Sequence, residues 1–157
     1  MAIIDKRTEL ADAISVAAAA GTINVGSQVD ASVVRDLGAG QTVWLIVTVD
    51  TAVVTGGAAG TIRFQLASDS TASIATDGTQ SIHATSALFV TDDAGYDLEI
   101  GDIAWQIALP TDGQEPYEQF IGLQAVIATT TTTAGKVNAW LSLAQIGEKR
   151  TYADASN

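Results

Sequence analysis

Cysteine is absent from the 157 residues of this chain, and histidine occurs only once. A chain without cysteine has no disulfides, no thiolate nucleophile and no zinc–thiolate site. No apolar run approaches the roughly 20 residues that span a bilayer, and the first residues lack the basic-then-apolar layout of a signal peptide. We therefore expect a soluble protein that is made in a cytoplasm and binds no membrane.

Basic residues are scarce, with 7 Lys and Arg against 18 Asp and Glu and a net charge of −11. Four of them lie near the ends of the chain, as Lys6, Arg7, Lys149 and Arg150. Residues 8–148 contain 3 bases and 16 acids, so this body of the chain carries a net charge of −13. Such a body repels phosphate backbones, which predicts no nucleic-acid binding. The terminal bases are either ordinary solvated tails or short arms that contact an acidic partner.

Charged residues make up 16% of the chain, against roughly 25% in a typical globular protein. Threonine, serine, alanine and glycine take their place. This composition suits strands with small polar outer faces, and it suits a surface that partners cover in part.

Residues Gln41–Asp50 predict a central strand. Val43, Leu45, Val47 and Val49 alternate on one face, while Trp44, Ile46 and Thr48 occupy the other. A strand that is apolar on both faces is typical of a buried position in a sheet. Three glycines between residues 56 and 60 then permit a reversal, and Thr61–Ala67 returns as a half-buried strand. The pattern indicates an antiparallel hairpin.

Further short strands follow at regular spacing. They are Ser81–Val90, Ile100–Leu109, Tyr117–Thr129 and Lys136–Ile146, and the five threonines from Thr129 to Thr133 read as a connection rich in β-branched residues. In Ile100–Leu109, Ile103 and Trp105 are expected on the same face. Many short strands joined by Gly and Asp turns predict an all-β, antiparallel jelly roll or β-sandwich. We assign residues 1–157 to one domain, with residues 1–10 as an N-terminal arm and 147–157 as a C-terminal tail.

The first 30 residues fit two structures. On propensity alone, Thr8–Ala19 predicts a helix, because apolar residues recur at helical spacing and alanine favours helix. Thr22–Val29 reads better as extended.

No catalytic or metal site emerges from the motifs. Ser81, Thr85 and Ser86 lie near His83, but nothing in the spacing supplies a third group to orient that histidine. Five carboxylates within eleven residues could hold calcium, yet they do not match the twelve-residue calcium loop, and a solvated turn is the simpler interpretation; they are Asp92, Asp93, Asp97, Glu99 and Asp102. We expect no enzyme and no cofactor, because the usual nucleophile, metal and phosphate-loop signatures are missing.

Three tryptophans each lie in a predicted strand. Trp44, Trp105 and Trp140 are expected to pack in the sheets, since aromatic side chains bury large areas. The alternative is a stacking platform for sugars, which needs the rings together on one exposed face. Trp44 and Trp105 instead have aliphatic neighbours.

Five segments together resemble the Bbp16-like capsid cement proteins of tailed bacteriophages. The resemblance covers mainly residues 5–70, on segments Asp5–Val16, Thr22–Val25, Arg35–Gln41, Val43–Ala52 and Phe64–Asp69. It implies a jelly-roll decoration protein on the outside of an icosahedral head, as a homo-oligomer that bridges major capsid protein subunits. It further implies that residues 11–28 are extended rather than helical. No catalytic residues come with the family.

Two other classes of function compete with this structural role. A carbohydrate- or receptor-binding β-sandwich predicts exposed tryptophans whose fluorescence changes with saccharide. An enzyme predicts that substitution of His83 or Asp93 abolishes an activity.

Replacing Leu45 or Val47 with Asp should prevent folding, because an unpaired charge in the core costs several kcal/mol. Circular dichroism during a thermal melt measures this. A soluble variant that still melts cooperatively would contradict the assignment of a central buried strand.

Overall fold

The computed structural model describes residues 8–31, 42–57, 60–91, 98–111 and 116–146. Within these ranges the chain forms strands joined by turns and bends, and no helix. The strands are β1 (Glu9–Ser15), β2 (Gly21–Asp30), β3 (Trp44–Thr55), β4 (Thr61–Asp69), β5 (Ser81–Thr85), β6 (Phe89–Val90), β7 (Ile103–Ala108), β8 (Phe120–Ala128) and β9 (Thr132–Ser142).

The strands form two antiparallel sheets. Sheet A has the order β1-β9-β3-β7, and sheet B has the order β2-β8-β4-β5, with β6 also paired to β4. The pairing is nested, since β1 pairs with β9, β2 with β8, β3 with β7 and β4 with β5. The predicted all-β sandwich is therefore confirmed, and the nesting supports its finer form, the jelly roll, in which a long folded hairpin rolls up into two sheets.

One hydrophobic core fills the space between the sheets. Leu45 and Val47 of β3 are fully buried from sheet A, and Phe64 and Leu66 of β4 and Leu123 of β8 are buried from sheet B. Along each strand the side chains alternate between the two faces of the sheet, so every second side chain contributes to this core. Ile46, on the other face of β3, is also only 1% exposed, and β3 lies between β9 and β7, which confirms it as a central strand.

The predicted hairpin of β3 with β4 is wrong. β3 pairs with β9 and β7 in sheet A, whereas β4 pairs with β8, β5 and β6 in sheet B. The chain after Thr55 crosses from one sheet to the other, and it is tightly packed there, because a Cβ on Gly60 would lie 2.2 Å from a methyl of Thr55. Two amphipathic strands separated by glycines look the same in sequence whether they pair or cross over.

The predicted helix at Thr8–Ala19 is also wrong. β1 occupies Glu9–Ser15 and pairs with β9, with two register shifts. Ala13 takes the left-handed angle φ 47°, and its N–H donates to Asn138 Oδ1 at 2.6 Å. Burial of Leu10 against the core outweighs the helix preference of the alanines. The extended structure that the family resemblance implies is confirmed, as β1 and β2 show.

The boundary of the N-terminal arm also shifts. Glu9 and Leu10, which we assigned to the arm, belong to β1, and Leu10 is 1% exposed. Residues 1–7 and the tail 147–157 lie outside the described residues. The interpretation of the threonine run as a connection holds as far as Thr131, since Thr132 and Thr133 begin β9.

Gly26 is expected to be far less tolerant of substitution than Gly78. Both residues have positive φ, 75° and 99°, so alanine is strained at either position. Only at Gly26 would a Cβ also meet backbone, 2.0 Å from Leu10 O, while at Gly78 it meets nothing within 4 Å. Gly26→Ala should therefore lower the free energy of unfolding by about 2 kcal/mol more than Gly78→Ala, as urea denaturation would measure. Equal losses would contradict the close approach of β2 to β1.

Candidate docking face

The chain itself covers part of the outer face of sheet B. The β4–β5 connection, residues 70–80, folds over it, and Ile74 is only 2% exposed. Gln124 on β8 donates to Ala75 O at 2.7 Å and to Asn24 Oδ1 at 2.8 Å, and Asn24 donates to Ile74 O at 2.8 Å. Gly122 leaves room for the connection, because a Cβ there would lie 2.7 Å from Ile74 Cδ1. This face is therefore used for internal packing.

The outer face of sheet A carries two tryptophans. Because Leu45 and Val47 point into the core, Trp44 and Ile46 point outward, and the register of β3 with β9 places Trp140 opposite Ile46. Trp44 and Trp140 are diagonal neighbours on this face, a spacing of about 7–8 Å between Cα atoms, and both are half-buried. We call this surface the tryptophan face.

The third tryptophan has a different environment. Trp105 pairs with Val47 and packs against the core, as predicted. Ile103 was expected on the same face as Trp105, and this is wrong, because a register shift opposite Val47 and Thr48 turns Ile103 to the outside. Ile103 is 46% exposed and extends the apolar surface of the tryptophan face toward the β7 edge.

An open pocket of about 440 Å³ lies on the tryptophan face between β1, β9 and β3. We call it the acidic pocket, and its lining residues are Glu9, Ala11, Asp12, Thr48, Asp50, Asn138 and Trp140. Three of them carry carboxylates, and none is a lysine or arginine. Asn138 is held in place by the N–H of Ala13, so one wall of the pocket is fixed by a strained backbone position.

The four predicted partner-contact residues lie outside the described residues, but their points of attachment are described. One row of cross-strand neighbours crosses the tryptophan face, in the order Glu9, Trp140, Ile46 and Gln106. At one end of the row, Thr8 O accepts from Leu141 N at 2.8 Å, just after Lys6 and Arg7 in the chain. At the other end, Gln106 Oε1 accepts from Ile146 N at 3.1 Å, three residues before Lys149. Thr8 and Ile146, the described residues nearest to the two basic pairs in the chain, therefore lie at the two ends of this row.

His83 lies in a buried polar cluster with Ser68, which comes from the neighbouring strand β4. Ser68 Oγ is 2.7 Å from His83 Nε2 and also accepts from Glu118 N at 3.0 Å. The imidazole packs on the ring of Tyr117, with 4.0 Å between ring centroids. Burial raises the pKa of Tyr117 to about 12. Among the described residues, neither its hydroxyl nor His83 Nδ1 has a hydrogen-bond partner.

This cluster does not form a catalytic triad. Ser68 is fully buried, and no third group among the described residues orients His83 through Nδ1. Two of the three hydroxyls that the sequence places near His83 have other partners, since Ser81 donates to Glu118 Oε1 at 2.8 Å and Ser86 donates to Ala87 O. Sequence spacing missed Ser68 because it lies 15 residues away, on a different strand.

The acidic segment is only partly described. Asp92, Asp93 and Asp97 lie outside the described residues. Asp102 Oδ2 accepts from Glu99 N at 2.9 Å and so caps the turn before β7. In the described ranges no three His, Cys, Asp or Glu side chains converge on a point that could hold a metal ion. The same ranges contain no helix long and apolar enough to cross a membrane.

The fold and its surfaces define an antiparallel β-sandwich in which the β4–β5 connection covers part of the outer face of sheet B. Among the described residues, Trp44 and Trp140 on the outer face of sheet A stay partly accessible. The Bbp16 family model matches residues 10–141 of the chain, and the chain belongs to this family. A search of curated proteins found no match.

Lowering the pH toward 5 should destabilise the protein through His83. Burial of the imidazole lowers its pKa, and the Glu118 carboxylate opposes this in part. The unfolded chain then binds the proton more readily than the folded protein, so the free energy of unfolding is highest above the unfolded pKa of about 6.5 and falls as the pH drops below it. Urea midpoints at about pH 7.5 and 5.5 measure this fall.

His83→Gln is the matched control, because it keeps a polar group beside Ser68 and removes the titration. Its midpoint should change less between the two pH values than that of the wild type. Equal changes in both proteins would show that His83 is not the group responsible.

Proposed function

We propose that this chain is a structural virion protein, a capsid cement protein that binds the outside of an icosahedral phage head and bridges neighbouring major capsid protein subunits. The match of the Bbp16 family model over residues 10–141 carries the proposal, together with the resemblance of residues 5–70 to cement proteins. The proposed location is the exterior of the virion, after synthesis in the cytoplasm of the bacterial host.

The two outer faces support a docking role. The β4–β5 connection packs over part of the outer face of sheet B, whereas the tryptophan face presents Trp44, Trp140 and the exposed Ile103. Half-buried tryptophans beside a polar pocket are typical of the centre of a protein interface, where aromatic anchors contribute most of the binding free energy. We propose that the tryptophan face contacts partners in the shell.

The proposed mechanism is the addition of contact area across joints between capsid subunits. A rigid two-sheet body contributes many weak contacts that repeat over the lattice, so the force needed to part the shell rises by avidity. Occupancy stabilises the bound shell by mass action. Several copies acting together fit this role, and we propose a homo-oligomer with no nucleic-acid partner, because the net charge of −11 opposes phosphate binding.

Co-sedimentation of the purified chain with empty heads of its own phage tests the proposal. We expect saturable binding at a fixed ratio to capsid subunits. Removing residues 1–7 should weaken this binding more than it lowers the melting temperature, because the arm is charged and precedes the folded strands. The double variant Lys6→Gln, Arg7→Gln is the control, because it removes both positive charges of the arm and keeps its length.

Two results would count against this proposal. A folded protein that binds no shell would leave the family membership without the cement role. Equal binding by the full chain and the chain without residues 1–7 would exclude the arm as a tether, while leaving the docking face as the contact.

A saccharide-binding role is the second candidate, and one observation favours it. Trp140 forms a wall of the acidic pocket beside Asn138 and two aspartates, and aromatic rings with amide and carboxylate groups also bind sugars. Glycan titration followed by tryptophan fluorescence tests it, with Trp140→Phe as the variant that should lose the signal. This result would replace the cement proposal only if shell binding also failed.

A further inference from the structure

We propose that the acidic pocket on the tryptophan face binds the basic N-terminal segment of a second copy of this chain, through Lys6 and Arg7. The inference concerns how copies join one another, so it holds or fails whether or not the chain binds a capsid.

The pocket has the chemistry to receive a guanidinium or an ammonium group. Asp12 and Asp50 supply carboxylates on opposite sides, and Trp140 supplies an aromatic wall. A guanidinium ion stacks on an indole ring and donates to a carboxylate at the same time, which makes arginine the side chain best suited to such a site. A volume of about 440 Å³ is ample for one such side chain with its water.

The chain itself contains the complementary segment. Residues 1–7 contain two bases and one acid, whereas residues 147–157 contain two bases and two acids, Glu148 and Asp154. The body between residues 8 and 146 carries a net charge of −12. The N-terminal segment is therefore the stretch of this chain with the best charge complementarity to the pocket, and attraction across an acidic body steers it there.

The geometry favours a neighbouring copy over the same copy. Thr8 is fixed beside Leu141, where residues 1–7 connect to β1. Asp12 lies five residues beyond Arg7, which is roughly 16 Å along a strand. To reach Asp12, the segment of the same copy would have to reverse over its own β1. A segment from another copy has no such restriction.

Edge-to-edge pairing of β1 is a poorer way to join copies. β1 is an edge strand of sheet A, but its ladder has two register shifts and Ala13 has positive φ. Such irregularities prevent a continuous second ladder. Capture of side chains in a pocket needs no ladder, and two copies related by a twofold axis would each fill the pocket of the other.

The absence of cysteine makes a direct test possible. A chain carrying Thr48→Cys, in the pocket, is mixed with a chain carrying Lys6→Cys and then oxidised. We expect a cross-linked dimer at least tenfold more abundant than in a mixture of Lys6→Cys with Thr79→Cys, since Thr79 is exposed on the β4–β5 connection over sheet B. Equal yields in the two mixtures would overturn the proposal.

Sedimentation velocity on the full chain gives an independent measure. Arg7→Gln and Asp50→Asn should each raise the dissociation constant of self-association at least tenfold, and the double variant should cost no more than either alone, because both changes remove one interaction. Glu99→Gln is the control, because it changes the net charge by the same amount as Asp50→Asn at an exposed site away from the pocket. It should not change the dissociation constant. A wild type that stays monomeric, or an oligomer indifferent to Arg7 and Asp50, would overturn the proposal.

Discussion

The central position of β3 in sheet A is the constraint on which the rest of this structure depends. Leu45 and Val47 point into the core between the sheets, and Ile46 is also buried. The backbone groups of an interior strand need hydrogen-bond partners along both edges, and β9 and β7 provide them. The nested partners then follow, because β4 is left to pair with β8 and β5 in the opposite sheet.

The strands were predictable from the sequence because a period of two is local information. The pairing partners of the strands were not predictable, since β3 lies in sheet A and β4 in sheet B although only five residues separate them. Residues 8–19 gave a helical pattern because alanine favours helix locally, and only the contact of Leu10 with the core decides otherwise. Ile103 was misassigned because one extra residue in a ladder reverses the faces of all residues before it.

The candidate site was less predictable than the fold. Alternation alone places Trp44 on the face opposite Leu45, but Trp140 joins it only through the register of β9. The acidic pocket draws its residues from three strands that are far apart in sequence. The concentration of bases at the termini was visible in the sequence, whereas the position of Thr8 and Ile146 at the ends of one row depends on strand pairing in sheet A.

The outer face of sheet B contributes to the stability of the fold, and we propose that the outer face of sheet A serves recognition. On sheet B, Gln124 and Asn24 hold the β4–β5 connection with part-buried hydrogen bonds, and a network of this kind fixes one conformation. On sheet A, Trp44 and Trp140 remain partly accessible among the described residues. Apolar area that stays exposed to water adds nothing to the stability of a monomer. The β4–β5 connection occupies part of the outer face of sheet B, and we propose that another protein completes the partly accessible face of sheet A.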